Sequence, residues 1–161
     1  MNSAMSHPDG RVQLSDADRW EIFALSSRYA HALDRRDWDQ LALVFAEDAV
    51  MEFAGLPAAT GPAAIAEVCA RALSPLEGSQ HLVGSPLVES GEGSRGEDSA
   101  TVSCYFHAQH VRTVDGELAL FTVAGGYDDR VERRPSGWQI THRRQSITWQ
   151  AGDPRVLAGL A

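Results

Sequence analysis

Three side chains in this sequence, Asp34, His81 and His110, are able to exchange a proton near neutral pH or to steady one, and the pattern around each turns it inward. Asp34 lies in "YAHALDRRDWDQL", eleven residues after Phe23 and one turn beyond Ala30. On an ideal helix that spacing leaves it within about 20° of the Phe23 direction, so a carboxylate occupies an apolar stripe. In "QHLVGSPLVES" His81 shares the phase of Val83 and Leu87. In "SATVSCYFHAQHVR" an apolar row, Ala100, Val102, Cys104, Phe106 and Ala108, alternates with Thr101, Ser103, Tyr105, His107 and Gln109. Parity puts His110 on the apolar row and His107 on the other face. An imidazole beside a carboxylate is equipment for proton removal: the carboxylate fixes the ring tautomer and stabilises the imidazolium. With no Gly-x-Ser-x-Gly elbow in the chain, the pair suits taking a proton from carbon better than activating a hydroxyl nucleophile.

The elements that must position these groups are legible from periodicity. Residues 1–14 carry Gly, Pro and polar residues without period and read as a flexible tail, and residues 151–161 read as a second tail. Ser15 with Asp18 resembles a capping box, followed by Ile22, Phe23, Ser26, Tyr29, Ala30 and Leu33 at helical spacing. Asp37 with Gln40 repeats the cap, and Trp38, Leu41, Val44 and Phe45 give a short second helix ending at "AEDA", before a strand at "VMEF". Pro62 suits the first position of a third helix with Ile65, Val68, Cys69 and Ala72 on its face. Four long extended stretches follow from Gln80, joined by the turn-rich "GEGSRGED", "VDG" and "RPSG". The expected class is α+β: one domain over 15–150, with three N-terminal helices on one face of a curved, mostly antiparallel sheet.

Composition narrows the function. A chain of 161 residues with 43% hydrophobic residues can bury one core. A formal charge of −8 argues against nucleic acid and anionic membranes as partners. The chain has no Lys, which removes Schiff-base chemistry. There is no signal-peptide pattern at "MNSAMSHPDGRV" and no apolar run of membrane-spanning length, so a cytoplasmic protein is expected. Cys69 and Cys104 stand apart and read as buried free thiols. Metal ligation is not expected, because helical His-Glu-x-x-His spacing and Cys/His clusters are both missing and "HAQH" splits its imidazoles between two strand faces. No cofactor is expected either. The uncharged outward row of the second long strand suits a homodimer or higher homo-oligomer.

In element order, and in "RYAHALDRRDWDQLALVFAEDAVMEF", "TGPAAI", "SQHLVG" and "GGYDDRVERRPSGWQITHRR", the sequence resembles the SnoaL-like branch of the nuclear transport factor 2-like superfamily. That branch includes scytalone dehydratase, bile-acid 7α-dehydratase and hexachlorocyclohexane dehydrochlorinase. The resemblance spans about Ser15 to Trp149. It implies a cone-shaped α+β barrel around a deep apolar cavity, with the family's catalytic His–Asp pair falling on His81 and Asp34. Tyr29 matches the position five before the Asp, and Arg143 matches a pocket Arg on the last strand. A second pocket His falls on His107 or His110, and parity favours His110. Phe106, Tyr127 and Trp38 are expected to join Arg143 and His110 in contacting substrate.

Two functional classes follow. The first is a cofactor-independent lyase or isomerase acting on a small, hydrophobic, cyclic molecule by elimination or allylic proton shift. In it His81 and Asp34 form the base, Tyr29 polarises a leaving oxygen and Arg143 steadies developing negative charge. The second is a non-catalytic ligand-binding or accessory member of the fold, like the β subunit of a ring-hydroxylating dioxygenase.

Overall fold

The first helix sets the geometry of everything near its end. In the computed structural model, which describes residues 14–91 and 98–158, helix α1 runs Asp16–Arg35. The Ser15 hydroxyl accepts from the Asp18 backbone N–H at 3.2 Å, as the cap pattern predicts. Its far end closes as a Schellman turn with Arg36 in the left-handed region at φ 58°. The Asp37 N–H reaches the Ala32 carbonyl at 2.9 Å. A side chain in that region costs about 1–2 kcal/mol relative to glycine. Arg36 offsets it by donating from Nη1 to the Leu33 carbonyl at 3.0 Å, the Asp34 carbonyl at 3.2 Å and Ser79 Oγ at 2.8 Å.

Helix α2 is Trp38–Leu43, capped by Asp37 Oδ1 accepting from the Gln40 N–H at 3.1 Å. The short helix was expected to run through Val44 and Phe45, but strand β1 already begins at Phe45 and continues to Glu52. Phe45 pairs with Ile140 and Val44 accepts from the Ile140 N–H, so sheet bonding overrides the helical spacing there. A two-residue strand β2, Ala59–Thr60, precedes helix α3, Pro62–Leu73. Strands β3 (Gly78–Ser90), β4 (Ser99–Val114), β5 (Glu117–Arg134) and β6 (Gly137–Gly152) complete the sheet in the order β2-β1-β6-β5-β4-β3. Among the described residues only the β1–β6 pairing is parallel. Asp115 and Gly116, both at positive φ, make the two-residue hairpin that "VDG" predicts.

The fold is the expected α+β cone, an open sheet bent around its helices. Register shifts in β3 between Gly84 and Leu87 and in β5 at Ala124/Gly125 bend and twist the strands. Gly125 is obligatory at its bulge, since a Cβ there would collide with the Ser146 carbonyl oxygen. The β3 bulge corrects the sequence reading at one residue. Val83 keeps the inward phase, but Leu87 lies beyond the shift and is 70% exposed.

The described residues reach into both expected tails. Residues 1–13 lie outside the described residues, as do 92–97 of the "GEGSRGED" connector, but Leu14 is buried. At the other end β6 extends to Gly152, and a 3-10 turn, Pro154–Leu157, drives Val156 fully into the core. No helix among the described residues is long and apolar enough to cross a membrane.

One charge pair is sealed inside. Arg143 on β6 and Asp129 on β5 are register partners, bonded bidentately at 2.7 and 2.6 Å with side-chain exposures of 0% and 2%. The guanidinium is clamped between the rings of Tyr29 and Tyr127, 4.3 and 4.2 Å from their centroids. Removing one partner strands a buried charge, whereas removing both does not. In urea unfolding, Asp129→Ala is expected to cost about 3–5 kcal/mol. The double variant Asp129→Ala/Arg143→Leu is expected to be more stable than Asp129→Ala alone.

Candidate functional site

Because Arg36 ends α1 with its last carbonyls against Ser79, the final turn of the helix lies over the start of β3. Asp34, on that turn, uses both carboxylate oxygens on β3. Oδ2 accepts from the His81 backbone N–H at 2.8 Å, and Oδ1 accepts from Ser79 Oγ at 3.0 Å and His81 Nδ1 at 2.7 Å. Burial pushes the Asp34 carboxyl upward, but the bonds from the His81 ring and backbone and from Ser79 outweigh it and hold it below the usual carboxylate range. Facing a carboxylate, Nδ1 of the neutral His81 ring carries the proton. The lone pair is then on Nε2, at the opposite side of the ring.

His81 forms part of the wall of a cavity of about 340 Å³. His110 stands beside it, its ring 5.6 Å from that of His81 and nearly perpendicular. His110 Nδ1 lies 3.1 Å from the Phe121 carbonyl, which can only accept, so this imidazole also keeps its proton on Nδ1. Burial above all, and then the neighbouring His81, lower its pKa to about 4, so His110 is neutral at pH 7.

Tyr29, Tyr127 and Phe106 complete the aromatic wall, with Phe106 and Tyr127 stacked at 4.6 Å. Burial raises the pKa of the Tyr29 phenol well above normal, so it keeps its proton and remains a donor. Cys69, also on the wall, is pushed up to about 12 by burial and stays a thiol. Among the described residues no Asp, Glu or Arg lines this cavity, and its remaining polar groups are the amides of Gln145 and Gln150. No three His, Cys, Asp or Glu side chains among the described residues group as a metal site.

The structure gathers Tyr29, His81, His110, Phe106 and Tyr127 on one cavity, with Asp34 directly behind His81. Two expected substrate contacts fall elsewhere. Arg143 is sealed behind the Tyr29 and Tyr127 rings, because its salt-bridge partner Asp129 is also buried and holds it there. Trp38 packs half-buried against the core outside the cavity, drawn there by its place in α2. His107 points outward and packs on Trp149 at 5.5 Å, which leaves His110 as the second cavity histidine beside His81. Sequence reading missed the C-terminal contribution of Pro154 and Leu157 to the wall. The signal was present: Asp153 before Pro154 is a helix-start pattern followed by the apolar pair Val156 and Leu157.

Burying His110 as a neutral ring ties stability to pH. Its pKa is 6.5 when free and about 4 when folded, so the unfolded chain binds more protons between these values. The benefit is complete above pH 6.5 and is lost as pH falls toward 4, by about 3 kcal/mol over that window. Urea unfolding from pH 7 to pH 4 is expected to show that loss, and His110→Gln is expected to flatten it.

Comparison with known proteins bears on the family and the fold. Residues 16–144 match the SnoaL-like domain family. A proposed aromatic ring hydroxylase from Novosphingobium aromaticivorans is 30% identical, with a TM-score of 0.77 over 90% of this chain and 99% of that one. At 21% and 19% identity respectively, the fold is shared with two further structures. One is a proposed scytalone dehydratase from N. aromaticivorans, with a TM-score of 0.73 over 84% of this chain and 87% of that one. The other is a hexachlorocyclohexane dehydrochlorinase from Novosphingobium barchaimii, with a TM-score of 0.71 over 87% of this chain and 95% of that one. No curated protein matches the chain. With the family match covering most of its length, the chain belongs to the SnoaL-like domain family.

Proposed function

We propose that this protein is a cofactor-independent lyase or isomerase that removes a proton from carbon in a small, neutral, hydrophobic ring compound. One observation carries the reading: the His81 ring, bonded to Asp34 at 2.7 Å, forms part of the wall of an apolar cavity that no charged side chain lines among the described residues. His81 Nε2 is the base, and Asp34 holds the opposite N–H and stabilises the imidazolium as the proton arrives. The electron pair left on carbon either forms a double bond as a neighbouring hydroxyl departs, or returns to a proton at the allylic position. In the first case the imidazolium gives its proton to the departing hydroxide and water leaves. In this reading the protonated Tyr29 phenol, on the cavity wall, hydrogen-bonds the substrate oxygen, and His110 can only accept, which suits a substrate hydroxyl.

The proposed dehydratase and the dehydrochlorinase among the fold's relatives support proton abstraction as the chemistry, and the 30% identical protein, a proposed aromatic ring hydroxylase, supports a ring as ligand. That relative also favours a second reading, a ligand-binding or accessory role in ring oxidation. The two separate at His81. A binding module retains its ligand and shows no proton chemistry in the wild type.

Deuterium exchange into hydroxylated cyclic ketones in D2O, followed by NMR, reads the proposed step directly. Wild-type protein is expected to exchange the proton next to the carbonyl and to release water. His81→Ala is expected to lose about 10²–10⁴-fold. Asp34→Asn should be similarly impaired with the fold intact. Tyr29→Phe is expected to lose on the order of 10–10³-fold if its hydroxyl meets the substrate oxygen. An unchanged rate in His81→Ala would move the chemistry to another group.

A further inference from the structure

The polar groups of the cavity differ in sign from one side to the other. His81 on β3 and His110 on β4 each hold the proton on Nδ1, so both leave a lone pair on Nε2. That side of the wall offers acceptors. In the sheet order β6 lies three places from β3, about 14 Å across a flat sheet, and curvature turns its inward side chains back toward the same cavity. Gln145 is one of them. It follows Arg143 on the inward row and pairs with the buried Tyr127, so parity sends its amide inward.

The Gln145 amide is held by one of its two branches. The Ala54 backbone N–H, just beyond β1, donates to Oε1 at 3.4 Å, and since a donor meets only the oxygen, Nε2 is the branch left to a ligand. Among the described residues Nε2 has no protein partner, and it is not one of the side-chain atoms sealed from solvent. A half-buried amide donor in an apolar wall costs free energy until water or a ligand accepts from it. Gln150, the other amide of the wall, is exposed and has no side-chain bond among the described residues, so it presents either atom. Of the two, Gln145 alone has a fixed polarity.

We propose that Gln145 determines substrate specificity by donating from Nε2 to a neutral carbonyl oxygen at the end of the ring compound remote from the carbon that His81 deprotonates. The proposal takes from the preceding section which side of the cavity reacts. It names a substrate class: a ring compound with opposed polar ends, a hydroxyl toward His110 and a carbonyl toward β6. A carboxylate or ammonium at the β6 end would enter a wall that no Asp, Glu or Arg lines among the described residues, at the full cost of desolvation. Size agrees. At about 30 Å³ per water, a cavity of about 340 Å³ holds the equivalent of roughly eleven waters, enough for one ring with a short substituent at each end.

Binding without turnover tests this. 4-(Hydroxymethyl)acetophenone carries a hydroxyl and a carbonyl at opposite ends of one ring, and 4-ethylbenzyl alcohol has nearly the same outline without the carbonyl. Both are titrated into the full chain at neutral pH and followed by protein NMR, and the ratio of the two affinities is the readout. Gln145→Leu is expected to cut the ketone's advantage about 3–10-fold, the worth of one net hydrogen bond, with 4-ethylbenzyl alcohol binding as before. Gln145→Glu should do the same while keeping an oxygen for the Ala54 N–H, which separates loss of the donor from loss of the tether. Gln150→Leu should leave the ratio unchanged. A ratio unmoved by both Gln145 variants, equal weakening of both ligands, or no binding of either by the wild type overturns the proposal. A shift in Gln150→Leu in place of Gln145→Leu also overturns it. Such failures leave proton abstraction standing, since no turnover enters the measurement. Absence of deuterium exchange in the wild type, with the ratio shift intact, would instead overturn His81 as the base and uphold Gln145 as the donor.

Discussion

The carboxylate of Asp34 is the joint between the helical layer and the sheet. It accepts three hydrogen bonds from two residues of β3, the Ser79 hydroxyl and the backbone and ring N–H groups of His81. A backbone bond to His81 fixes where the strand lies, and a ring bond fixes how the imidazole is turned. One group therefore sets both position and tautomer. Arg36 stiffens the joint by bonding the helix-end carbonyls and Ser79 at once. The strained left-handed Arg36 thus stands at the helix end that carries Asp34 to the cavity wall.

Charge is held one layer back from the cavity wall. Asp34 lies behind His81, and Arg143 lies behind Tyr29 and Tyr127. The surface left to a ligand is neutral and mostly apolar, while opposite charges remain close enough to act through the rings in a low-dielectric interior. An exposed ion in the wall would favour water in the cavity and bind it there. Ions behind rings can steady a developing imidazolium or phenolic dipole without holding solvent.

The strands divide the work by parity. Inward residues of β4 and β5, such as Phe106, His110 and Tyr127, build the cavity, while outward ones, such as Tyr105 and Gly126, build the opposite face. The bulges that bend the sheet around the cavity shape both faces, because a strand has no way to curve on one side alone.

What the sequence determined by itself is what depends on local period and on capping. The bounds of α1 and α3, the hairpin at Asp115–Gly116 and the inward row of β4 through His110 follow from cap residues and alternation, which need no knowledge of neighbours. Only the tertiary structure decided what depends on a partner far along the chain. Whether Arg143 meets ligand or Asp129 is a competition between two burial sites, and a buried carboxylate fourteen positions away wins it. The phase of Leu87 turns on a bulge, the strand at Phe45 on pairing with Ile140, and the burial of Val156 on the space left under the sheet. Pattern reports which face a side chain prefers. Pairing and packing, being non-local, decide which preferences are met.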